Sequence, residues 1–192
     1  VVHGGAGSKA AREDEPLYRD AVTNALLCGV AELATSARSA VVAAVSYMEA
    51  STPLNAGIGA VLADDGTARL DAGFMDGATR RFGAVADVRR CPTPVRIAAH
   101  LASDGRYGRL LVGEAAERAG VDAGVASCEP ERLVTERARE RHRRALSDST
   151  APGTDTVGAV ALDASGHLAA AVSTGGLSGK RAGRVGDSPI VG

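Results

Sequence analysis

The most constraining feature of this sequence is a pair of short apolar runs near its C-terminal end. Residues 156–176 read TVGAVALDASGHLAAAVSTGG, in which two strand-like runs flank the turn 164–166. This pattern is typical of a β-hairpin. A stretch of small and polar residues, SDSTAPGTD at 147–155, comes directly before it. We therefore expect a flexible linker that leads straight into a buried strand, with Thr156 at its start.

The rest of the chain shows helical spacing of apolar residues in several segments. We predict helices at residues 13–34, 36–50, 92–103, 109–120 and 129–146. Ser36 is a candidate N-cap for the second of them. Two apolar runs around Asp65–Gly66 predict another hairpin, and FGAVADV at 82–88 predicts a further strand. Strands near both ends with helices between them indicate an α+β fold, in which helices cover an antiparallel sheet.

The composition limits what the core can contain. The 192 residues are 45% hydrophobic and 23% charged, but only 3% are aromatic and 24 are glycine. We therefore expect one domain whose core is built from Ala, Val and Leu at close backbone approaches. The formal net charge of -1 argues against a nucleic-acid partner. No apolar run approaches the roughly 18 residues that a membrane-spanning helix needs, so no membrane partner is expected.

The cysteines and histidines do not form metal-binding patterns. Three cysteines, Cys28, Cys91 and Cys128, are widely spaced and lie outside any CxxC motif. They are typical of reduced thiols, so we expect a cytoplasmic protein. The four histidines are scattered without ligand spacing, so metal-dependent catalysis is not expected and no cofactor is predicted.

Thr156 becomes a candidate nucleophile if the backbone is cut between Asp155 and Thr156. Its hydroxyl would then lie beside a free α-amino group, whose pKa of about 7.7 to 8.0 makes it a usable base near neutral pH. A flexible linker before Thr156 would let the chain reach its own hydroxyl. The alternative is that Thr156 is a strand residue with a solvated hydroxyl, the more common role of a threonine at this position.

Four segments resemble one enzyme family in the expected order. They are HGGAG at 3–7, LNAGIGAVLADDGTARLDAGFMDG at 54–77, GAVADVRRCPTPVRIA at 83–98, and the run 156–192 with its STGG and GRVGDSP motifs. The chain resembles the plant-type asparaginase and isoaspartyl peptidase family, which are Ntn hydrolases with a threonine nucleophile. The resemblance implies an αββα sandwich and an amidohydrolase that acts on β-aspartyl peptides, L-asparagine or both.

The resemblance also implies roles for three polar side chains. Thr156 matches the nucleophile, which attacks an amide carbonyl and forms an acyl-enzyme. Thr174 in STGG matches a second threonine that positions and polarises the nucleophile. Asn55 in LNAGIG matches an asparagine whose amide lies next to the nucleophile. A turn asparagine before a glycine-rich segment is the alternative for Asn55.

The RVGD motif is implied to bind the substrate. Arg184 and Asp187, with Val185 and Gly186 between them, match the residues that hold the α-carboxylate and α-ammonium of an aspartyl unit. A guanidinium pairs with a carboxylate through two hydrogen bonds, and a carboxylate accepts from an ammonium. The alternative for Arg184 and Asp187 is a surface ion pair on a turn.

The loop before Asn55 resembles one whose backbone carbonyls bind a structural sodium ion in the family. The implied donors are the carbonyls of Met48, Glu49, Ser51, Leu54, Ala56 and Ile58. The segment EASTPL at 49–54 departs from the family's commoner EECPLF. Of the roles implied by the resemblance, the sodium donors are the ones that this departure affects most.

The family's processing divides the chain in two. The resemblance implies an α-subunit part at 1–155, ending in the linker 147–155, and the start of a β-subunit at 156–192, which together form one domain. Family members continue beyond Gly192, so we interpret the sequence as truncated at its C-terminal end. A homodimer of αβ units is implied, with a small-molecule or dipeptide substrate.

Two alternatives to this function remain open. Asp155 stands where many plant-type members have Gly, and an Asp before the nucleophile is similar to the related glycosylasparaginases. A truncated, non-catalytic remnant that serves as a binding or structural protein is the other alternative.

Overall fold

The structure of the protein, a computed structural model, describes residues 1–6, 14–104, 109–147 and 155–191. Its strands join in one six-stranded sheet with the order β1-β5-β6-β2-β3-β4. All pairings are antiparallel except that of β3 with β4. The strand bounds are β1 Val2–His3, β2 Leu70–Asp76, β3 Arg81–Val88, β4 Leu110–Val112, β5 Val157–Leu162 and β6 Leu168–Thr174.

Helices pack against this sheet. Their bounds are α1 Glu15–Glu32, α2 Ala37–Glu49, α3 Pro94–Asp104, α4 Glu114–Asp122 and α5 Glu136–Ser147, with 3₁₀ turns at Gly57–Gly59 and Pro130–Leu133. Helix α2 contacts β5 and β6, whereas α3 contacts β2 and β3. Helix α1 lies on α2. The predicted α+β class is therefore confirmed, with a mixed sheet in place of a purely antiparallel one.

The C-terminal hairpin forms as predicted. Val157 pairs with Ser173 and Leu162 pairs with Leu168 across β5 and β6. Asp163 closes the turn, because its Oδ1 accepts the backbone N–H groups of Ser165 and His167 at 3.0 Å each. The hairpin therefore brings residues 156 and 174 together at one end of the sheet.

The core consists of small side chains, as the composition predicts. Phe74 is the largest fully buried side chain, and most of its buried neighbours are Ala, Val and Leu. Close backbone approach follows from this. At Gly29 in α1, an added Cβ would lie 3.1 Å from the Ala40 carbonyl oxygen and 3.2 Å from the Ala44 Cβ in α2. A glycine therefore lets these helices pack tightly.

The predicted helix pair is confirmed at α1 and α2. Ser36 caps α2 as expected, since its hydroxyl accepts the Ser39 N–H at 3.0 Å. The hairpin predicted around Asp65–Gly66 is reduced to a single bridge between Leu62 and Ala68. The longer hairpin is β2–β3, because the strand that follows the bridge pairs with both β3 and β6.

Two helix predictions differ from the structure. Residues 110–112 form β4, which pairs with β3, and helix α4 begins only after Gly113, whose φ is 57°. The predicted helix 129–146 is divided, because Pro130 starts a separate 3₁₀ turn and Thr135 caps α5 through the Ala138 N–H. Local periodicity does not reveal either break, since sheet pairing and a cap decide them.

Other sequence predictions concern the cysteines, membrane contact, the linker and the location of the protein. All three cysteines are free. No helix in the described part of the chain is long and apolar enough to cross a membrane. Residues 148–154 of the predicted linker, together with Gly7 and Gly192, lie outside the described residues. The linker and the boundary between 1–155 and 156–192 therefore stay predictions, as does the cytoplasmic location.

Candidate active site

Two threonines meet at the end of the β5–β6 hairpin. The Thr156 hydroxyl donates to the Thr174 hydroxyl at 3.2 Å. The Thr174 hydroxyl in turn donates to the Asp155 carbonyl oxygen at 3.1 Å and accepts the Gly176 N–H at 2.9 Å. Thr174 therefore uses its one proton and both lone pairs, and its rotamer is fixed. This fixed side chain orients the Thr156 hydroxyl.

Asn55 approaches the same point from the loop after α2. Its Nδ2 donates to the carbonyl oxygens of Asp155 and Gly176, each at 2.8 Å. Its Oδ1 accepts the Val61 N–H at 2.9 Å, and the residue is only 2% exposed. All the amide's protons are used, which fixes its orientation. Asn55 therefore joins the loop to the threonine pair.

These contacts converge on one carbonyl group. The Asp155 carbonyl oxygen accepts both Asn55 Nδ2 at 2.8 Å and the Thr174 hydroxyl at 3.1 Å. This carbonyl belongs to the peptide bond between Asp155 and Thr156. Two fixed donors on a carbonyl oxygen stabilise the negative charge that develops when a nucleophile adds to its carbon. The arrangement therefore favours attack at this peptide bond.

Glycine at position 175 lets the STGG segment pack closely against Asn55 and Ala60. A Cβ there would lie 2.5 Å from the Asn55 Oδ1 and 2.7 Å from the Ala60 Cβ. The Gly175 N–H also donates to the Asn55 backbone carbonyl at 3.0 Å. A larger residue would push the STGG segment away from Asn55, so the glycine keeps the site closed.

The predicted substrate residues lie on an irregular turn beyond the hairpin. Arg184 and Asp187 are exposed, and Val185 is 36% exposed. The Arg184 guanidinium folds back near Gly186, where an added Cβ would lie 3.1 Å from Nη1. Among the described residues no hydrogen bond joins these side chains to Thr156. Their charged ends are therefore free to contact a ligand.

The predicted sodium donors lie in the last turn of α2, at Met48 and Glu49, and in the loop that follows. The carbonyl oxygens of Ser51 and Leu54 face Gly59, and that of Glu49 faces Gly57. A side chain at either glycine would collide with them. Carbonyl oxygens are hard ligands that suit hard cations, so the donor chemistry of this loop fits a sodium ion. Within the described residues, no His, Cys, Asp and Glu cluster of three or more could hold a metal.

Sequence reasoning gave Glu49 only a backbone role, yet its side chain is fully buried beneath the site. Its Oε1 accepts the Val95 N–H at the start of α3 at 3.0 Å. Desolvation raises the pKa of Glu49 to about 8, although Ser173, Val95 and Arg96 oppose the rise. The signal that the sequence offered was an acidic residue at the end of a largely apolar helix.

Sequence reasoning also missed Asp71 and Lys180. Asp71 on β2 pairs in register with Thr174 on β6, and Lys180 lies in the segment that follows STGG. Both side chains are 1% exposed and their charged atoms lie 3.8 Å apart. Asp71 interrupts the apolar run of its strand, which could have indicated a special role. Nothing local identifies Lys180.

Comparison with known proteins gives one family. A family model described as asparaginase matches residues 1–192. The isoaspartyl peptidase of Salmonella typhimurium is 43% identical over 210 residues, and the plant-type L-asparaginase of Pyrobaculum calidifontis is 44% identical over 212 residues. The isoaspartyl peptidase/L-asparaginase of Mus musculus is 38% identical over 200 residues.

The coverage of these alignments is unequal. Each one includes 100% of this chain, but the chain spans only 67% of the Salmonella and Pyrobaculum proteins and 61% of the mouse protein. The matched part contains every site residue described above.

Proposed function

This chain belongs to the asparaginase family, and from that premise we propose that the whole protein hydrolyses the side-chain amide bonds of β-aspartyl peptides, L-asparagine or both. Its relatives named isoaspartyl peptidase and L-asparaginase support this activity. The observation that carries the proposal is the Asp155 carbonyl, which faces two donors beside the Thr156 hydroxyl.

The first step of the proposed mechanism is cleavage of the chain itself. The Thr156 Oγ adds to the Asp155 carbonyl carbon, while Asn55 and Thr174 stabilise the oxyanion. The C–N bond then breaks, the nitrogen takes up a proton, and residues 1–155 are held on Thr156 as an ester. Water hydrolyses this ester, which releases the Asp155 carboxylate and leaves Thr156 with a free α-amino group.

The second step uses the nucleophile that the first has made. The free α-amino group of Thr156 removes the hydroxyl proton as Oγ attacks the substrate's side-chain carbonyl. The amine or ammonia leaves with a proton, and water then hydrolyses the acyl-enzyme. Thr174 continues to orient the nucleophile because its contact with the Gly176 N–H does not depend on Asp155.

The exposed turn 184–187 is the proposed grip for the substrate. Arg184 would bind the α-carboxylate of the aspartyl unit through two hydrogen bonds, and Asp187 would accept from its α-ammonium. Val185 and Gly186 set the spacing between the two charges. A small polar ligand fits this chemistry better than a nucleic acid or a membrane surface.

The remaining features of the family are proposed for this chain as well. The sheet with α2 and α3 on it would form half of an αββα sandwich. Residues 1–155 and 156–192 would belong to separate subunit chains of one domain, and two αβ units would form a dimer. The carbonyls of Met48, Glu49, Ser51, Leu54, Ala56 and Ile58 would hold a structural sodium ion, which stiffens the loop that carries Asn55.

The deciding experiment is replacement of the nucleophile in the full-length protein. Thr156→Ala removes the hydroxyl that is proposed to attack Asp155, so the chain should stay uncut and inactive. Thr156→Ser should still cut, more slowly. Intact-mass spectrometry checks both, and a cut before residue 156 in the Ala variant would disprove the nucleophile assignment. A wild-type protein that never splits would favour a non-catalytic binding protein.

A further inference from the structure

Asp71 and Lys180 form a buried ion pair beside the threonine site. Their charged atoms, Lys180 Nζ and Asp71 Oδ2, lie 3.8 Å apart, and each side chain is 1% exposed. Other ion pairs of the described residues are more exposed: the side chains of Arg69 and Asp87 are 12% and 20% exposed, and those of Arg90 and Glu129 are 46% and 70% exposed. Withdrawing two charges from water is costly, so a pair this deeply buried needs good geometry and further hydrogen bonds.

Lys180 is fixed through both its backbone and its side chain. Its Nζ donates to the Arg69 carbonyl oxygen at 2.9 Å, and its carbonyl oxygen accepts the Asp64 N–H at 2.8 Å. The ammonium also packs over Gly176, where an added Cβ would lie 2.9 Å from Nζ. Lys180 therefore connects the STGG segment of the site to the strand β2 region.

Asp71 makes the matching contacts on the other side. It lies opposite Thr174 in the β2–β6 register, so both side chains project from the same face of the sheet. Its Oδ1 accepts the Asp87 N–H at 3.0 Å, where β3 bulges with a φ of 54° at Asp87. Two residues further along β2, an added Cβ at Gly73 would lie 2.7 Å from the Ser188 carbonyl oxygen. The turn 184–187 therefore lies between Lys180 and Ser188, and both of these residues contact β2 or the residue before it, close to Asp71.

Burial and the neighbouring charges limit how much this ion pair can stabilise the fold. Desolvation raises the pKa of Asp71 and lowers that of Lys180, and each group moderates the shift of the other. Asp87, Arg69 and Arg184 also act on one or both groups. A buried ion pair of this kind contributes little net stability compared with apolar side chains, but it permits only one geometry.

We propose that Asp71 and Lys180 are positioning residues, which hold the turn 184–187 at a fixed place relative to Thr156 and so set the binding of the substrate's α-groups. This inference rests on the proposed function, because that function makes the turn the substrate grip. Neither residue touches the reacting atoms. Their effect reaches the substrate through the segment that contains Gly176 and Lys180 and through the contact of Ser188 with β2.

The test compares variants of the full-length protein. Lys180→Met keeps the length of the side chain without its charge, and Asp71→Asn keeps the shape of the carboxyl group. The double variant removes both charges and so leaves no unpaired ion. Arg181→Met is the matched control, because Arg181 is the exposed neighbour of Lys180 on the same segment.

Hydrolysis of a β-aspartyl dipeptide is measured after processing is complete. We expect Lys180→Met and the double variant to raise KM about tenfold or more, with kcat changed by less than about threefold and cutting at Asp155–Thr156 retained. Arg181→Met should match the wild type. If the double variant regains the free energy of unfolding that Lys180→Met loses but keeps the high KM, the effect on KM comes from positioning and not from a loss of folding.

Hydrogen exchange on the same proteins gives a second readout that needs no activity. In Lys180→Met, the amides of 184–187 should exchange at least about tenfold faster, while those of α3 keep their wild-type rates. An unchanged KM together with unchanged exchange in this turn overturns the inference. An inactive wild type would instead refute the proposed function, and the exchange rates would still decide the positioning role.

Discussion

Helix α5, before the Asp155–Thr156 bond, and the cluster of side chains around that bond both carry polar groups but use them differently. Helix α5, upstream, carries Arg and Glu side chains in solvent, such as Arg144 and Glu140 at 77% and 41% exposure. Around the bond itself, Asn55 and Thr174 are 2% and 3% exposed, and their side-chain N–H and O–H groups all donate hydrogen bonds.

This difference shows that burial, not the number of polar contacts, decides which interactions matter. Water replaces a lost partner on α5 at little cost, since exposed ion pairs contribute from nothing to about 1 kcal/mol. A buried donor or acceptor left without a partner costs about 1 to 3 kcal/mol. Substitutions in the buried cluster around the bond should therefore have much larger effects than those on α5.

The largest effect is expected at Asn55. Asn55→Ala leaves the Val61 N–H and the Gly176 carbonyl oxygen without their side-chain partner, and it leaves the Asp155 carbonyl oxygen with the Thr174 hydroxyl alone. It should therefore destabilise the protein by about 3 kcal/mol or more and stop cutting at Asp155–Thr156. Urea unfolding and intact-mass spectrometry measure the two effects. Asn55→Asp keeps the acceptor for Val61 but loses the donors, so it should also remain uncut. Normal cutting in either variant would remove Asn55 from the site.

A smaller effect is expected at Gly175. In Gly175→Ala the new Cβ overlaps Asn55 Oδ1 and Ala60, so the STGG segment must shift, at a cost of about 1 to 3 kcal/mol. Gly166 is the contrasting control, because its φ is 80° but no atom lies within 4 Å of an added Cβ. Gly166→Ala should destabilise the hairpin through backbone strain alone and leave cutting intact. Thermal unfolding and processing rates of both variants distinguish close packing from backbone strain.

Arg141 tests an ion pair that joins α5 to the cleavage point. Its Nη2 lies 3.9 Å from the Asp155 Oδ2, with the side chains 32% and 19% exposed. Arg141→Ala should cost less than about 1 kcal/mol and slow cutting only severalfold, because the pair is long and partly solvated. Arg141→Lys should restore the rate. Complete loss of cutting in the Ala variant would show that α5 positions Asp155. The contrast between exposed contacts on α5 and buried contacts around the bond would then fail.

The smallest effect is expected on the outer face of α5. Arg144→Ala removes a bond of 2.9 Å to Glu140, but both side chains lie in solvent. Its free energy of unfolding should change by less than about 0.5 kcal/mol, and that difference should shrink further in high salt. Urea unfolding at two salt concentrations measures it. A change above about 1 kcal/mol would show that exposure alone does not rank these contacts.

The sequence by itself determined the features that depend on neighbouring residues. The hairpin over 156–176 follows from two short apolar runs around a turn, and Ser36 caps α2 because a hydroxyl there meets the free N–H of Ser39. The motifs around Asn55, Thr156 and Arg184 were sufficient to indicate the family, because each motif is continuous in the chain. Their roles in catalysis stay predictions.

Only the tertiary structure decided which distant groups meet. The Asn55 amide reaches a carbonyl 100 residues later in the chain, and Lys180 donates to a carbonyl 111 residues earlier. Residues 110–112 became a strand because β3 offered a free edge, although their own pattern favours a helix. The physical reason is the same in each case. Backbone periodicity is local, whereas the pairing of buried polar groups depends on which strands and loops the fold places side by side.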